Sequence, residues 1–176
     1  MSGRSLRALI NQAEIGTLQE VDGLWSFRYT QAWLDNPQGF ALSPHLPLSA
    51  APLLDGASRR PVQWYFDNLL PEEGQRRLLA GDARLDAADA FGLLAWYGAE
   101  SAGSVTLLAE DSEPQTAAPL RPLTDEALEA RIRQLPKAPL THAAIKRMSL
   151  AGAQHKLAVV FQDGCLFEPA GATPST

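Results

Sequence analysis

The segment Trp25-Ser-Phe-Arg-Tyr-Thr30 alternates large aromatic side chains with small or polar ones. A period of two is typical of a β-strand, and it places Trp25, Phe27 and Tyr29 on one face, where they can form a core. Upstream, residues 8–10 are apolar, and Gly16 interrupts the segment that follows. We therefore expect the first 30 residues to form short β-strands.

Two different patterns follow this strand, first an irregular one and then a helical one. Residues 36–61 are rich in Pro, Gly and Ser, so we expect irregular structure there, with three leucines turned inward. These leucines are Leu42, Leu46 and Leu48. From residue 62 the apolar residues recur at i, i+4, i+7 and i+8, which is one face of a helix. They are Val62, Phe66, Leu69 and Leu70.

Two further helices are predicted from their boundary residues. Residues 72–79 fit a helix with two acids in its first turn and Gly81 after its end. Asp89 can cap a helix over residues 90–97, which Gly98 closes. Residues 104–109 then have the pattern of a strand.

After a polar, proline-rich stretch at residues 110–122, the C-terminal part contains both helix-like and strand-like patterns. Thr124, followed by two acids, predicts a helix to about Leu135. Strands are predicted over 145–150 and 156–161, with Leu157, Val159 and Phe161 on one face. Asp163-Gly164 is a hairpin-turn dipeptide before a return strand at 165–167. We predict an α+β fold with one subdomain at 1–109, a linker at 110–122 and the start of a second subdomain at 123–176.

Composition excludes several classes of protein. The chain has 176 residues, of which 45% are hydrophobic and 20% charged, as in an ordinary globular protein. Its net charge of −5 lacks the basic footprint of a nucleic-acid binder. A single cysteine, Cys165, rules out an intramolecular disulfide, and neither a signal peptide nor an 18-residue apolar stretch is present. We therefore expect a cytoplasmic protein.

The motif with the clearest chemical potential is Ser149-Leu-Ala-Gly-Ala-Gln-His-Lys156. Its small residues lie between two predicted strands, where backbone N–H groups could approach phosphate oxygens closely. Lys156 could add a positive charge and Gln154 a hydrogen bond. From the residues alone, however, one glycine between alanines is more often a tight turn.

For three other features, a structural role explains the residues better than a catalytic or metal-binding role does. Asp67-Asn68 lies on an otherwise apolar helix, and it could bind a metal or act as a base. A local hydrogen-bond network explains it better. The three histidines, His45, His142 and His155, lack metal-ligand spacing. Cys165 is expected to be a buried, inert thiol rather than a nucleophile.

Together, several segments resemble the HipA family of bacterial toxin kinases, in the family's order. They are Phe66-Asp-Asn-Leu-Leu-Pro-Glu72, Phe91-Gly-Leu-Leu94, Ser101-Ala-Gly103, the motif at 149–156 and Thr173-Pro-Ser-Thr176. The resemblance implies a mixed N-terminal region before a helical lobe, and ATP-dependent phosphorylation of a serine. In the family's best-known members the target is the tRNA-charging enzyme for glutamate, and a small HipB-like antitoxin that binds DNA holds the toxin.

The resemblance also assigns roles to residues. The ATP-phosphate loop would consist of Ala151, Gly152, Ala153, Gln154, His155 and Lys156. Ser149 would match the serine that the family phosphorylates on itself, and phosphate there would repel ATP. His155 departs from the acidic or proline residue expected at its position. The catalytic aspartate and the residues that bind Mg²⁺ match no part of this sequence, so we predict that the chain alone does not transfer phosphate.

The sequence leaves three functional hypotheses open. The first is the N-terminal part of a toxin kinase, whose growth arrest produces persistence. The second is a stand-alone binding module that pairs with or neutralises a separate kinase chain. Such a module should end near the linker, whereas this chain continues past it. The third is an α+β domain without a nucleotide role, in which the loop at 151–156 is only a turn.

Overall fold

The structure, a computed structural model, describes residues 3–100, 105–114, 116, 118–135, 137 and 157–170. Its main feature is an antiparallel sheet in the order β4-β3-β2-β1-β5. A second sheet has the order β6-β8-β7. The strands are β1 (Arg4–Ile10), β2 (Ala13–Val21), β3 (Leu24–Tyr29), β4 (Leu53–Leu54), β5 (Thr106–Leu108), β6 (Arg121–Pro122), β7 (Val160–Gln162) and β8 (Cys165–Glu168).

Five α-helices accompany these strands in the described part of the chain. A short 3₁₀ turn, Gly98–Glu100, follows the fourth helix. The helices are α1 (Gln31–Leu34), α2 (Pro61–Asp67), α3 (Glu73–Ala83), α4 (Ala90–Tyr97) and α5 (Asp125–Arg133). Within the described ranges, none of them is long and apolar enough to cross a membrane.

The alternating aromatics of β3 form the centre of the core, as the sequence predicts. Trp25, Phe27 and Tyr29 are each no more than 4% exposed. The ring of Phe27 packs against Phe66 of α2, with 5.4 Å between centroids, and Trp25 packs against Phe91 of α4 at 5.1 Å. One face of the sheet is therefore covered by helices, which is the layered arrangement that buries an amphipathic sheet.

The hairpins of the first sheet turn on residues with positive φ. Asn11 and Gln12 (φ 48° and 70°) link β1 to β2, and Asp22 and Gly23 (φ 52° and 76°) link β2 to β3. Type I′ turns require positive φ at both central residues, and their twist matches that of the strands. Local turn chemistry thus sets the register in which Leu18 lies opposite Phe27.

The end of α4 meets the sheet at Gly98. A Cβ atom at this position would lie 2.6 Å from Cβ of Leu107 in β5. Gly98 has an ordinary helical φ of −64°, so space rather than backbone conformation demands glycine. The glycine allows the helix to approach the edge strand closely.

Most predicted elements of the N-terminal part are confirmed, with two corrections. Leu46 is fully buried and Leu42 packs on the core, but Leu48 is 41% exposed because it lies after Pro47 in a segment without a sheet partner. The helix predicted over 72–79 begins at Glu73 and continues through Gly81. It ends only at Arg84, whose left-handed φ of 56° stops it. The boundaries of the three predicted subdomain segments remain a prediction.

The C-terminal predictions need further corrections. The strand expected from residue 156 begins only at Val160, and it buries Val160 while Phe161 is 62% exposed. The alternation is therefore opposite to the one predicted. Cys165 is exposed rather than buried, because it begins β8 directly beside the turn. Part of the expected linker, Arg121–Pro122, forms β6.

Candidate functional site

The predicted phosphate loop lies outside the described residues, as do Ser149, His142, His155 and the strand predicted at 145–150. The described structure resumes at residue 157 and leads directly into the β7–β8 hairpin. Asp163 and Gly164 at its turn have φ of 51° and 78°, so the predicted hairpin dipeptide is confirmed. The β7–β8 hairpin is therefore the regular structure nearest in sequence to the predicted loop.

A buried carboxylate ends strand β8. Glu168 is 2% exposed and faces two arginines from different elements. Its Oε2 accepts hydrogen bonds from Nε of Arg121 at 2.6 Å and from Nη2 of the same residue. Its Oε1 lies 2.5 Å from Nη1 of Arg131, which is only 10% exposed. A carboxylate this deeply buried needs such partners, because desolvation of an unpaired charge is costly.

Strand register and a capped helix bring these three side chains together. Arg121 is the direct antiparallel partner of Glu168 in the β6–β8 pair. The N–H of Leu123 donates to the carbonyl of Leu166 at 2.8 Å, which fixes the chain just before α5. Helix α5 then carries Arg131 back over the end of β8.

The start of α5 is capped as the sequence predicts. The Thr124 hydroxyl accepts from the N–H of Ala127 at 3.2 Å. The pKa of Glu126, which is fully exposed, lies below its usual value because its own backbone N–H and the Thr124 hydroxyl favour the carboxylate. The cap fixes where α5 begins and hence which of its faces turns toward Glu168.

The three charged side chains border an open cleft of about 390 Å³ between α5 and the β6–β8 strands. Apolar side chains make up much of its wall, and Gln134 adds an amide. The lining residues are Arg121, Pro122, Leu123, Ala127, Ala130, Arg131, Gln134 and Glu168.

The acidic motif on α2 has a structural role. Oδ1 of Asp67 accepts from Nη1 of Arg76 at 2.7 Å, and Nε of Arg76 donates to the carbonyl of Ala87 at 2.7 Å. This network ties α2 to α3 and to the loop before α4. It is the local hydrogen-bond network that the sequence favours over a metal site. Across the described ranges, no group of three or more His, Cys, Asp or Glu side chains could hold a metal ion.

A second buried acid, Asp55, caps α2 from outside the helix. Its Oδ1 accepts from the N–H of Val62 at 2.8 Å, and its Oδ2 from the N–H of Gln63 at 3.0 Å. Its own N–H donates to the carbonyl of Trp25 at 2.9 Å. Asp55 thus joins the sheet to the helix with one short side chain.

Two tyrosines, Tyr29 in the core and the partly buried Tyr65 packed against it, have raised pKa values. Burial raises the pKa of Tyr29, although the N–H of Leu42, which donates to its hydroxyl at 2.9 Å, acts in the opposite direction. The same hydroxyl donates to the carbonyl of Leu46 at 2.7 Å and so holds the irregular segment to the sheet. Burial also raises the pKa of Tyr65, with a smaller contribution from Tyr29. Both side chains stabilise the fold in their neutral form.

The sequence did not single out the cluster around Glu168. Arg121 lay in the expected linker, and Arg131 lay in the helix predicted to run from Thr124 to about Leu135. One signal was available, since Glu168 is the lone acid at the end of the otherwise apolar run Cys165-Leu-Phe-Glu168. An acid at such a position needs a cationic partner elsewhere in the chain.

Comparisons with known proteins identify the family. Residues 6–108 match the family model described as the HipA N-terminal domain. "Putative kinase Y4mE" of Sinorhizobium fredii is 38% identical over 164 residues, which cover 90% of this chain and 38% of that protein.

The fold has a counterpart among solved structures. A chain from the Shewanella oneidensis MR-1 toxin–antitoxin complex of HipA, HipB and operator DNA superposes with a TM-score of 0.69 at 24% identity. The match covers 97% of this chain and 39% of that chain. This chain thus spans under two fifths of the length of both proteins. Because the family model covers more than half of the sequence, the chain belongs to the HipA family.

Proposed function

We propose that this chain is the N-terminal portion of a HipA-like serine/threonine kinase toxin and that it binds ATP through residues 151–156. The observation that carries the proposal is the 38% identity with the Sinorhizobium protein named as a kinase, which extends over 90% of this chain and hence beyond the matched N-terminal domain.

The proposed nucleotide site uses backbone chemistry. Consecutive N–H groups of the loop around Gly152 would donate to phosphate oxygens, and Lys156 would supply a charge beside them. The antiparallel β7–β8 hairpin that follows the loop supports the strand predicted on the C-terminal side of the loop. Mg²⁺, which would bridge the phosphates, would be held by residues that lie in the remainder of a complete kinase.

Phosphorylation of Ser149 would regulate this site. A phosphate group adds nearly two negative charges at neutral pH. Placed two residues before the loop, it would repel the ATP phosphates. Autophosphorylation would therefore act as an off-switch for nucleotide binding.

The partners of the proposed kinase follow from the family. A HipB-like antitoxin would hold the toxin, because the structural counterpart comes from a complex of HipA, HipB and operator DNA. The phosphorylated target would be a translation-related protein such as a tRNA-charging enzyme, and its inactivation would arrest growth. This part of the proposal rests on family resemblance.

Intact mass spectrometry of the protein purified from its own cells tests the proposal. The proposal predicts a species much heavier than 19.0 kDa, or phosphate on Ser149. A lone, unmodified chain of 19.0 kDa in complex with a second protein would instead support the stand-alone binding module. Phosphotransfer assays on the purified 176-residue chain should show no turnover, because phosphoryl transfer needs metal ions and a positioned base.

A further inference from the structure

The carboxylate of Glu168 lies at the end of the second sheet where the proposed ATP loop would join it. Strand β7 begins at Val160, four residues after that loop ends at Lys156. Val160 lies opposite Phe167 in β8, so the next residue of β8, Glu168, lies beside the chain that enters β7. The hairpin turn at Asp163-Gly164 is at the other end of these strands.

Glu168 connects three elements at this point. It lies on β8 and binds Arg121, its direct partner on β6, as well as Arg131 of α5. None of the nine residues of α5 is buried, so burial of an apolar face contributes little to the position of this helix. From residue 118 onward, the other buried residues within the described ranges are Leu123, Val160, Pro169 and Ala170. The shared carboxylate is therefore a major contact between the hairpin and the elements beside it.

We propose that Glu168 is a positioning residue for the proposed ATP site. Through Arg121 and Arg131 it holds β7–β8 in one position against β6 and α5, and hence fixes the point at which the chain leaves residues 151–156. The inference rests on the proposed function, because it concerns the same loop. Backbone donors bind phosphate tightly only when they are held in place before the ligand arrives. Loss of the carboxylate would remove the acceptor that the two guanidinium groups share, and the loop would lose its fixed end.

Titration of the purified 176-residue chain with a fluorescent ATP analogue and Mg²⁺ separates this role from a purely stabilising one. The variants are Glu168→Gln and a matched control, Glu20→Gln. Glu20 also pairs with an arginine, Arg4 at 2.8 Å, and its side chain is only 13% exposed, but it lies in the first sheet. Circular dichroism and urea denaturation give the folded fraction and the stability of each variant. Both variants should lose stability, whereas only Glu168→Gln should weaken binding of the analogue, by about tenfold or more.

A second variant tests the contact with the helix alone. Arg131→Gln separates α5 from Glu168 and leaves the contact with Arg121 in place. It should weaken binding of the analogue by a smaller factor than Glu168→Gln does. Should Glu168→Gln fail to fold, the comparison of Arg131→Gln with Glu20→Gln decides.

The outcomes distinguish this inference from the function on which it rests. Unchanged affinity of Glu168→Gln, in a protein that keeps its folded spectrum, would overturn the positioning role and leave the proposed ATP site intact. An equal loss of affinity from Glu20→Gln would also overturn the role, because the effect would then follow from stability alone. Absence of binding by the unmodified chain would overturn the ATP site itself, and the role of Glu168 with it.

Discussion

Replacement of Asp55 by alanine should destabilise the fold far more than its position in an irregular segment suggests. The carboxylate is 7% exposed and accepts two backbone N–H groups from the first turn of α2. Hydrogen bonds to a charged group contribute about 1.5–3 kcal/mol each when buried. The N–H of Val62 is buried and would be left without a partner, while that of Gln63 is partly buried and can regain water. We therefore expect a loss of about 3 kcal/mol in the free energy of unfolding.

Urea denaturation monitored by tryptophan fluorescence measures this loss. The midpoint should fall while the dependence of the free energy on urea concentration stays the same. Asp55→Asn keeps one acceptor and should lose about half as much. Asp35→Ala is the matched control, because Asp35 is exposed and its side chain, within the described part of the chain, bonds to the amide of Gln31. A loss below about 1 kcal/mol for Asp55→Ala, or one equal to that of the control, would refute the role of this carboxylate as a cap.

Three further outcomes follow from the described structure. Gly98→Ala should lower stability by about 1–3 kcal/mol, because the added Cβ atom has no space. Gly81→Ala should raise stability by up to about 1 kcal/mol, because a Cβ atom there lies more than 4 Å from any neighbour. Thermal melts of both variants check this pair. Folding raises the pKa values of Tyr29 and Tyr65. Their contribution to the free energy of unfolding is therefore complete below the unfolded pKa near 10 and is lost as the pH rises through the folded pKa values. Tyrosinate absorbance should accordingly appear together with alkaline unfolding. Cys165 is exposed, so Ellman's reagent should titrate one thiol in the native protein without denaturant; a thiol that reacts only after unfolding would show it to be buried.

The sequence predicts the N-terminal fold well where a pattern is local. The aromatic alternation of β3 and the capped helix after Asp89 both match the structure, because each depends on residues only a few positions apart. The dipeptide Asp22-Gly23 carries the same hairpin signal as Asp163-Gly164 and went unused. Asn11-Gln12 turns with positive φ but contains no glycine, so the β1–β2 hairpin had a weaker signature.

Prediction fails where packing between distant segments decides the outcome. The residue pattern after position 156 is compatible with burial of either face of the strand, and the structure buries Val160 instead of Phe161. Similarly, Arg121 and Glu168 are 47 positions apart, so their pairing follows from sheet register rather than from any local motif. The predicted phosphate loop is a different case, because it lies outside the described residues and its role stays a prediction.

Binding of a fluorescent ATP analogue to the purified chain in the presence of Mg²⁺ tests the proposed ATP site. We expect saturable binding that Ala151→Asp abolishes, because a carboxylate in the loop repels phosphate. Ala57→Asp, which adds the same charge at an exposed position far along the chain, should leave it unchanged. Absence of binding by the unmodified chain, or equal affinity of both variants, would contradict an ATP site at residues 151–156 and favour a loop that serves only as a turn.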